Sequence, residues 1–207
     1  MAVLLARWRI ARYQAFRWRF ELDVLQKLGL ALGMAILTGL LAQVRIPLPW
    51  TPVAITGQAF TVLLAGVMLG NGWGGISMML YVGLGAAGLP WFQTWQGGWG
   101  YLAGPTGGYL IGFILAAFLI GHLTDKYVKA RQFPALMAVM TGAYFILVYV
   151  PGLLQLNLWL TAAGKQVSLG ELLNLGLVPF ILVDLIKIVL AAALAWGLTP
   201  KENFRLK

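Results

Sequence analysis

Val178-Pro-Phe-Ile-Leu-Val-Asp184-Leu-Ile-Lys187-Ile-Val-Leu-Ala-Ala-Ala-Leu-Ala-Trp-Gly-Leu198 is an apolar run broken by only two charges. About 20 such residues, rising 1.5 Å each as a helix, cross the roughly 30 Å hydrocarbon core of a bilayer. The whole chain has the same character. Its 207 residues are 60% hydrophobic and 10% charged, against about 25% charged in a soluble domain. Mean hydropathy is +0.83, which also excludes intrinsic disorder. The reading is an all-α integral membrane protein. Outward from the last run, apolar stretches bounded by Pro, Gly or charge predict six transmembrane helices, at about 25–44, 55–70, 74–89, 106–123, 134–152 and 178–198. The second and third are short and are joined by the uncharged turn Leu69-Gly-Asn-Gly-Trp-Gly74.

The basic residues set the orientation. Six spans put both termini on one side, together with the loops after spans two and four. That side receives Arg7, Arg9, Arg12, Arg17, Arg19 and Lys27, then Lys126, Lys129 and Arg131, then Lys201, Arg205 and Lys207. The other side keeps Arg45 and Lys165. The positive-inside rule therefore predicts both termini in the cytoplasm of a multi-pass plasma-membrane protein. Charge sorted this way explains the net +9 without a nucleic-acid partner.

The organisation is a basic amphipathic segment over 1–24, a membrane domain over 25–198 and a basic tail over 199–207. In the first segment Leu4, Trp8, Ala11, Ala15, Trp18 and Leu22 fall on one helical stripe, with most of the arginines on the remaining arc. Such a helix lies flat on an anionic leaflet. A topology signal and an organellar transit peptide are the other readings, whereas a cleavable secretory signal is not expected.

Most chemistries are excluded by composition. The chain has no cysteine and one histidine, His122, which removes disulfides and thiolate nucleophiles and predicts no metal site. No P-loop, G-x-S-x-G elbow or H-E-x-x-H helix occurs, so no ATP hydrolysis or motif-borne catalysis is expected.

Charge inside a span costs about 2.5–3.5 kcal/mol unless compensated. Asp184 and Lys187, three residues apart, share one helix face. Two uses are open: an ion pair that aids insertion, or a polar site facing the bundle, with Asp184 accepting from N–H donors and Lys187 donating to a carbonyl or carboxylate. The Gly-rich stretch from Pro90 to Tyr109 holds Gln96, a solvated amide or an inward polar contact. Trp91, Trp95 and Trp99 are interfacial anchors or an aromatic cover. Thr106 is placed to cap the helix after Pro105. Pro47, Pro49 and Pro52 stiffen the loop after Arg45, as a lid or a connector. In span one, Gly29/Gly33 and Ala31/Ala35/Gly39 form rows of small residues at four-residue spacing, for packing within the bundle or for docking a second membrane protein.

Three blocks taken together resemble the biotin transporter BioY family, the biotin-specific substrate-binding (S) components of energy-coupling-factor (ECF) transporters. They are Pro47-Leu-Pro-Trp-Thr-Pro52 leading into Ile55-Thr-Gly-Gln58, Gly104-Pro-Thr-Gly-Gly-Tyr109-Leu-Ile-Gly-Phe113, and Asp184-x-x-Lys187. They occur in family order and spacing over about 25–198. The resemblance implies the six-helix S-component fold and biotin capture under the first and third outer loops, with no enzymatic activity. It makes Asp184 and Lys187 ligand contacts, with Tyr109 of the second block beside them. Gln96 stands where the family carries Asn or Ser. The family's A-x-x-x-A coupling motif matches Ala31 and Ala35, where a membrane-embedded coupling protein driven by a pair of cytoplasmic ATPases would dock. No cofactor is implied; biotin is cargo. The 1–24 extension exceeds the family core. Alternatives are solo action, as a homo-oligomer built on small-residue faces, an ion-coupled secondary carrier, and an intramembrane enzyme using Asp184 and Lys187 as an acid/base pair.

Overall fold

A computed structural model describes residues 2–201, with side chains from residue 7 onward apart from Arg9. Arg205 and Lys207 of the basic tail lie outside the described residues, as do the side chains of Leu4 and Arg9. Helix α1 spans Ala2–Glu21 and α2 Val24–Gln43. Between them Asp23 accepts from the Gln26 amide at 2.7 Å while the Gln26 side chain accepts from the Asp23 amide at 3.2 Å. This reciprocal cap satisfies first-turn donors and separates the basic segment from the first long apolar helix.

Two-residue strands β1 (Arg45–Ile46) and β2 (Ile55–Thr56) pair antiparallel, Arg45 opposite Thr56 and Ile46 opposite Ile55. The proline-rich stretch is thus the tip of a small hairpin, and the second apolar helix starts at Gln58 rather than near residue 55. It is α3, Gln58–Leu69, followed by α4, Trp73–Ala86. The turn joining them needs its glycines. Gly70 and Gly72 have φ of 77° and 81°, and a Cβ on Gly70 would collide with Asp125 and Arg19. After a loop holding the short helix α5 (Trp99–Leu102) come α6 (Gly107–Lys126), α7 (Phe133–Ala143) and α8 (Tyr149–Ala162). Last are α9 (Leu169–Gly176) and α10 (Ile181–Leu198).

Among the described residues four helical stretches are long and apolar enough to cross a membrane: Val24–Gln43, Gly107–Lys126, Phe133–Ala162 and Leu169–Leu198; α3 and α4 are apolar but shorter. The fifth apolar stretch runs ten residues beyond the expected end at 152, because Pro151 is absorbed inside it. Proline lacks the amide that would bond Leu147, and a π turn at Tyr144–Val148 takes up the mismatch just upstream. Membrane helices tolerate this where neighbours satisfy the freed backbone groups. Thr106 precedes α6 but makes no side-chain cap bond, so its expected capping role is not realised.

Helix α6 is central. Its span is 61% buried against 22% for α2, and it packs on α3, α4 and α8. Glycine makes that possible: a Cβ at Gly108 or Gly112 would collide with the carbonyls of Pro151 or Leu147 on the neighbouring helix, and one at Gly121 with Gly70. Leu63, Met78, Tyr81, Ile120, Leu136 and Ile188 fill the core at near-zero exposure. Leu32, Ile36, Leu115, Phe118, Ile146 and Leu190 are exposed on the outside, as a lipid-facing surface requires.

Candidate functional site

Asp184 lies in the first turn of α10, 4% exposed. A carboxylate taken this far from water must be satisfied on the spot. Lys187 Nζ donates to its Oδ1 at 2.7 Å and Tyr149 Oη to its Oδ2 at 2.5 Å. Lys187 keeps further N–H donors, and each carboxylate oxygen keeps a lone pair. Tyr144 also lies against this carboxylate.

Asp184, Lys187 and Tyr109 line one partly open cavity together with Gln58, Gln93, Thr106, Phe113, Tyr144, Tyr149, Phe180 and the strand β2 segment. Its walls are aromatic. Tyr109 and Tyr144 each meet Tyr149 edge-on, with centroids 5.8 and 5.6 Å apart, while Phe145 stacks on Tyr149 at 5.3 Å. Such a slot accepts a flat apolar body. Asp184 and Lys187 present an acceptor and a donor to its polar edge. Also in the lining, Gln58 Nε2 donates to Tyr81 Oη at 2.9 Å and Gln58 Oε1 accepts from Thr56 at 3.0 Å.

The covering loops are each pinned by side chains. Thr51 Oγ1 donates to the Leu175 carbonyl at 2.6 Å and Tyr109 Oη to the Gly176 carbonyl at 2.8 Å, which ties the hairpin tip and α6 to α9. Gln155 Nε2 donates to the carbonyls of Leu102 and Gly104 at 2.8 and 3.0 Å. Gln43, at the end of α2, donates to the Phe92 carbonyl at 2.9 Å and accepts from the Trp95 amide at 3.1 Å. Between those contacts Thr94 and Trp95 have φ of 59° and 57°, a conformation that costs non-glycine residues strain and persists only where surrounding contacts impose it.

The expected site residues separate. Gln96 stands apart from Asp184: it is exposed and lines a second, more open cavity with Thr94, Tyr101, Gly104 and Trp159. Gln93, three residues earlier, lines both cavities. The three tryptophans also divide. Trp91 is buried, its Nε1 donating to the Tyr81 carbonyl at 2.9 Å, while Trp95 and Trp99 are exposed. Ala31 and Ala35 have no exposure at all. They pack α2 into the bundle on the side that meets α3 and α4, so as a docking surface they are corrected to core. The exposed small residues of α2 are Gly29 and Gly33, where an added Cβ would meet nothing.

Tyr144, Tyr149 and Gln93 were missed from the sequence. Pro151 inside an apolar run was the available sign that the helix there is irregular.

Comparison with known proteins places the chain in a family. A sequence model of the BioY family matches residues 13–203. A probable biotin transporter BioY of Methanothermobacter thermautotrophicus is 51% identical over 142 residues, covering 68% of this chain and 90% of the relative. The biotin transporter BioY of Thermotoga maritima is 40% identical over 157 residues, 76% of this chain and 87% of the relative. Among solved structures, the S-component for biotin from an ECF-type ABC transporter superposes with a TM-score of 0.75 at 26% identity, covering 84% of this chain and 90% of the other. The chain belongs to the BioY family.

Proposed function

We propose that this chain captures biotin in the Asp184 cavity and serves as the substrate-binding component of an ECF transporter, as its relatives' names and its structural neighbour indicate. The observation that carries the site assignment is the buried Asp184–Lys187 pair, held at 2.7 Å among aromatic walls. Biotin's fused ring has apolar faces and a ureido edge with two N–H donors and one carbonyl. Asp184 suits the N–H groups. Lys187 suits the ureido carbonyl or the valerate carboxylate. Nothing in this set points to bond making, and capture with release elsewhere is its natural use.

The membrane arrangement belongs to the same reading. Four long helices and the two shorter ones, α3 and α4, serve as six crossings, and the basic residues near both termini favour a cytoplasmic location for them. The cavity end then faces outward. A membrane-embedded coupling protein with two ATPases would supply the energy, and on α2 it would meet the exposed Gly29/Gly33 face rather than Ala31 and Ala35.

The test is calorimetric titration of biotin into the detergent-purified chain, with Asp184→Asn and Lys187→Met alongside. Truncating one member of a buried charge pair costs 2–5 kcal/mol, so each variant should bind at least about 30-fold more weakly. A folded wild type that takes up no biotin refutes the ligand assignment. Wild-type binding retained in both variants refutes the site.

A further inference from the structure

Asp184 is held by a residue that only the π turn brings to it. In an α-helix, residues five apart stand about 140° from one another around the axis. Tyr144 and Tyr149 are five apart, yet both line the Asp184 cavity. The turn at Tyr144–Val148 closes with i to i+5 bonding, and such a turn returns residues five apart to nearly the same face. From there Tyr149 Oη reaches Asp184 Oδ2 at 2.5 Å, while Lys187 occupies Oδ1. Phe145 stacks at 16° on the Tyr149 ring, and Tyr109 and Tyr144 abut it edge-on, so the ring has little freedom to swing. With one oxygen bonded from α8 and the other from α10, the carboxylate plane is fixed before any ligand arrives.

We propose that Tyr149 is a positioning residue that sets the carboxylate of Asp184 for ligand binding, and that the π turn provides the register this requires. The inference rests on the reading of Asp184 and Lys187 as ligand contacts. Tyr149 acts through Asp184, and removing its hydroxyl should matter only while the carboxylate is there.

Tyr149→Phe keeps the ring and its neighbours and removes one hydrogen bond to a charged group. It should bind biotin about 10- to 100-fold more weakly, while the ligand-free protein stays folded with a lower thermal midpoint, since a buried carboxylate oxygen loses its donor. In an Asp184→Asn background the same substitution should change affinity by less than about 2-fold. A residue with a merely structural role would give additive losses, and additivity overturns the proposal, as does near-wild-type binding by Tyr149→Phe. Infrared spectroscopy of the ligand-free protein supplies a readout independent of biotin. The carboxylate band of Asp184, identified by subtracting the Asp184→Asn spectrum, should shift in Tyr149→Phe; an unmoved band overturns the proposal whether or not biotin binds. If the wild type binds no biotin while the band shifts, the positioning contact stands and the ligand reading alone fails. Deleting Ile146, an exposed residue of the turn, leaves Tyr144 and Tyr149 four apart, about 40° from one another in an unbroken α-helix, so the turn goes while its register stays and the wild-type carboxylate band should persist. A folded deletion variant whose band shifts as in Tyr149→Phe shows that register is not what the turn supplies and overturns that part, and Tyr149→Phe decides the contact if the deletion does not fold.

Discussion

Two glutamines three residues apart divide the work of the glycine-rich loop. Gln93 lines the Asp184 cavity and the second, more open cavity (the vestibule) alike, whereas Gln96 lines the vestibule alone. A neutral hydrogen bond contributes about 1 kcal/mol net, so Gln93→Ala should weaken biotin binding about fivefold while Gln96→Ala stays within about 2-fold of wild type. Calorimetric titration of both variants checks this, and equal effects would place the ligand deeper in the vestibule than the cavity geometry implies. Asp184 and Lys187 stood out in the sequence as a candidate site because charge inside an apolar helix has few uses. Which glutamine turns inward was not. That depends on Thr94 and Trp95 adopting positive φ under the grip of Gln43, and neither residue type announces such a backbone. The alanine row of α2 illustrates the same limit. Its spacing shows that something packs closely there, and only the folded bundle shows that the partner is the chain's own helices.

At the scale of elements, α1 is fastened by charge rather than by its apolar stripe. Trp8, Ala11, Ala15 and Trp18 face outward, available to the bilayer interface. The inward side carries Phe16 and Arg19. The Arg19 guanidinium pairs with Asp125, donates to the carbonyls of Val67 and Met68 at 3.0 Å each, and lies 3.7 Å over the Phe16 ring. It thereby satisfies carbonyls at the end of α3 that have no partner within the helix. Arg131 also lies over Phe16, at 4.7 Å from the ring, with Nε donating to the Thr124 carbonyl at 2.7 Å. Burial holds the Arg19 guanidinium below its ordinary value although Asp125 pulls the other way, and lowers Arg131 to about 10. Both stay charged at neutral pH, so the cluster depends on keeping both signs. Asp125→Asn takes from the buried Arg19 the carboxylate it pairs with and should cost about 3 kcal/mol or more, seen as a lower thermal midpoint in detergent. Along α6 Asp125 stands about 24 Å from Tyr109, so biotin affinity should stay within about 2-fold of wild type. An unchanged midpoint would mean that α1 is not docked through this cluster. A helix over this segment could be read from the sequence, although of its apolar stripe Trp8, Ala11, Ala15 and Trp18 are exposed while Leu22 is buried. Its anchor could not, because nothing local links Arg19 to a carboxylate 106 positions later.

Across the whole molecule the two ends differ in kind, and α6 joins them. One end holds the cavity, covered by loops that Thr51, Gln155 and Gln43 pin to neighbouring helices. The other holds the buried arginine cluster under α1. Glycines along α6 let its neighbours approach on several sides, leaving the outer faces of α2, α7, α8 and α10 for lipid or a partner. Helix α2 makes the division testable, because its two rows of small residues point opposite ways. Ala35 is fully buried and Gly33 is open. Ala35→Leu forces extra volume into a packed interface and should cost about 1–3 kcal/mol, lowering the thermal midpoint and the yield of folded protein. Gly33→Leu meets no neighbour and removes a flexible residue from a helix interior, so stability should hold or rise by up to about 1 kcal/mol. If the coupling protein meets this open face, Gly33→Leu retains biotin binding and loses co-purification with the coupling module. Should Ala35→Leu instead stay folded and lose only the partner, the alanine row faces outward in the assembled transporter and α2 must turn when the complex forms.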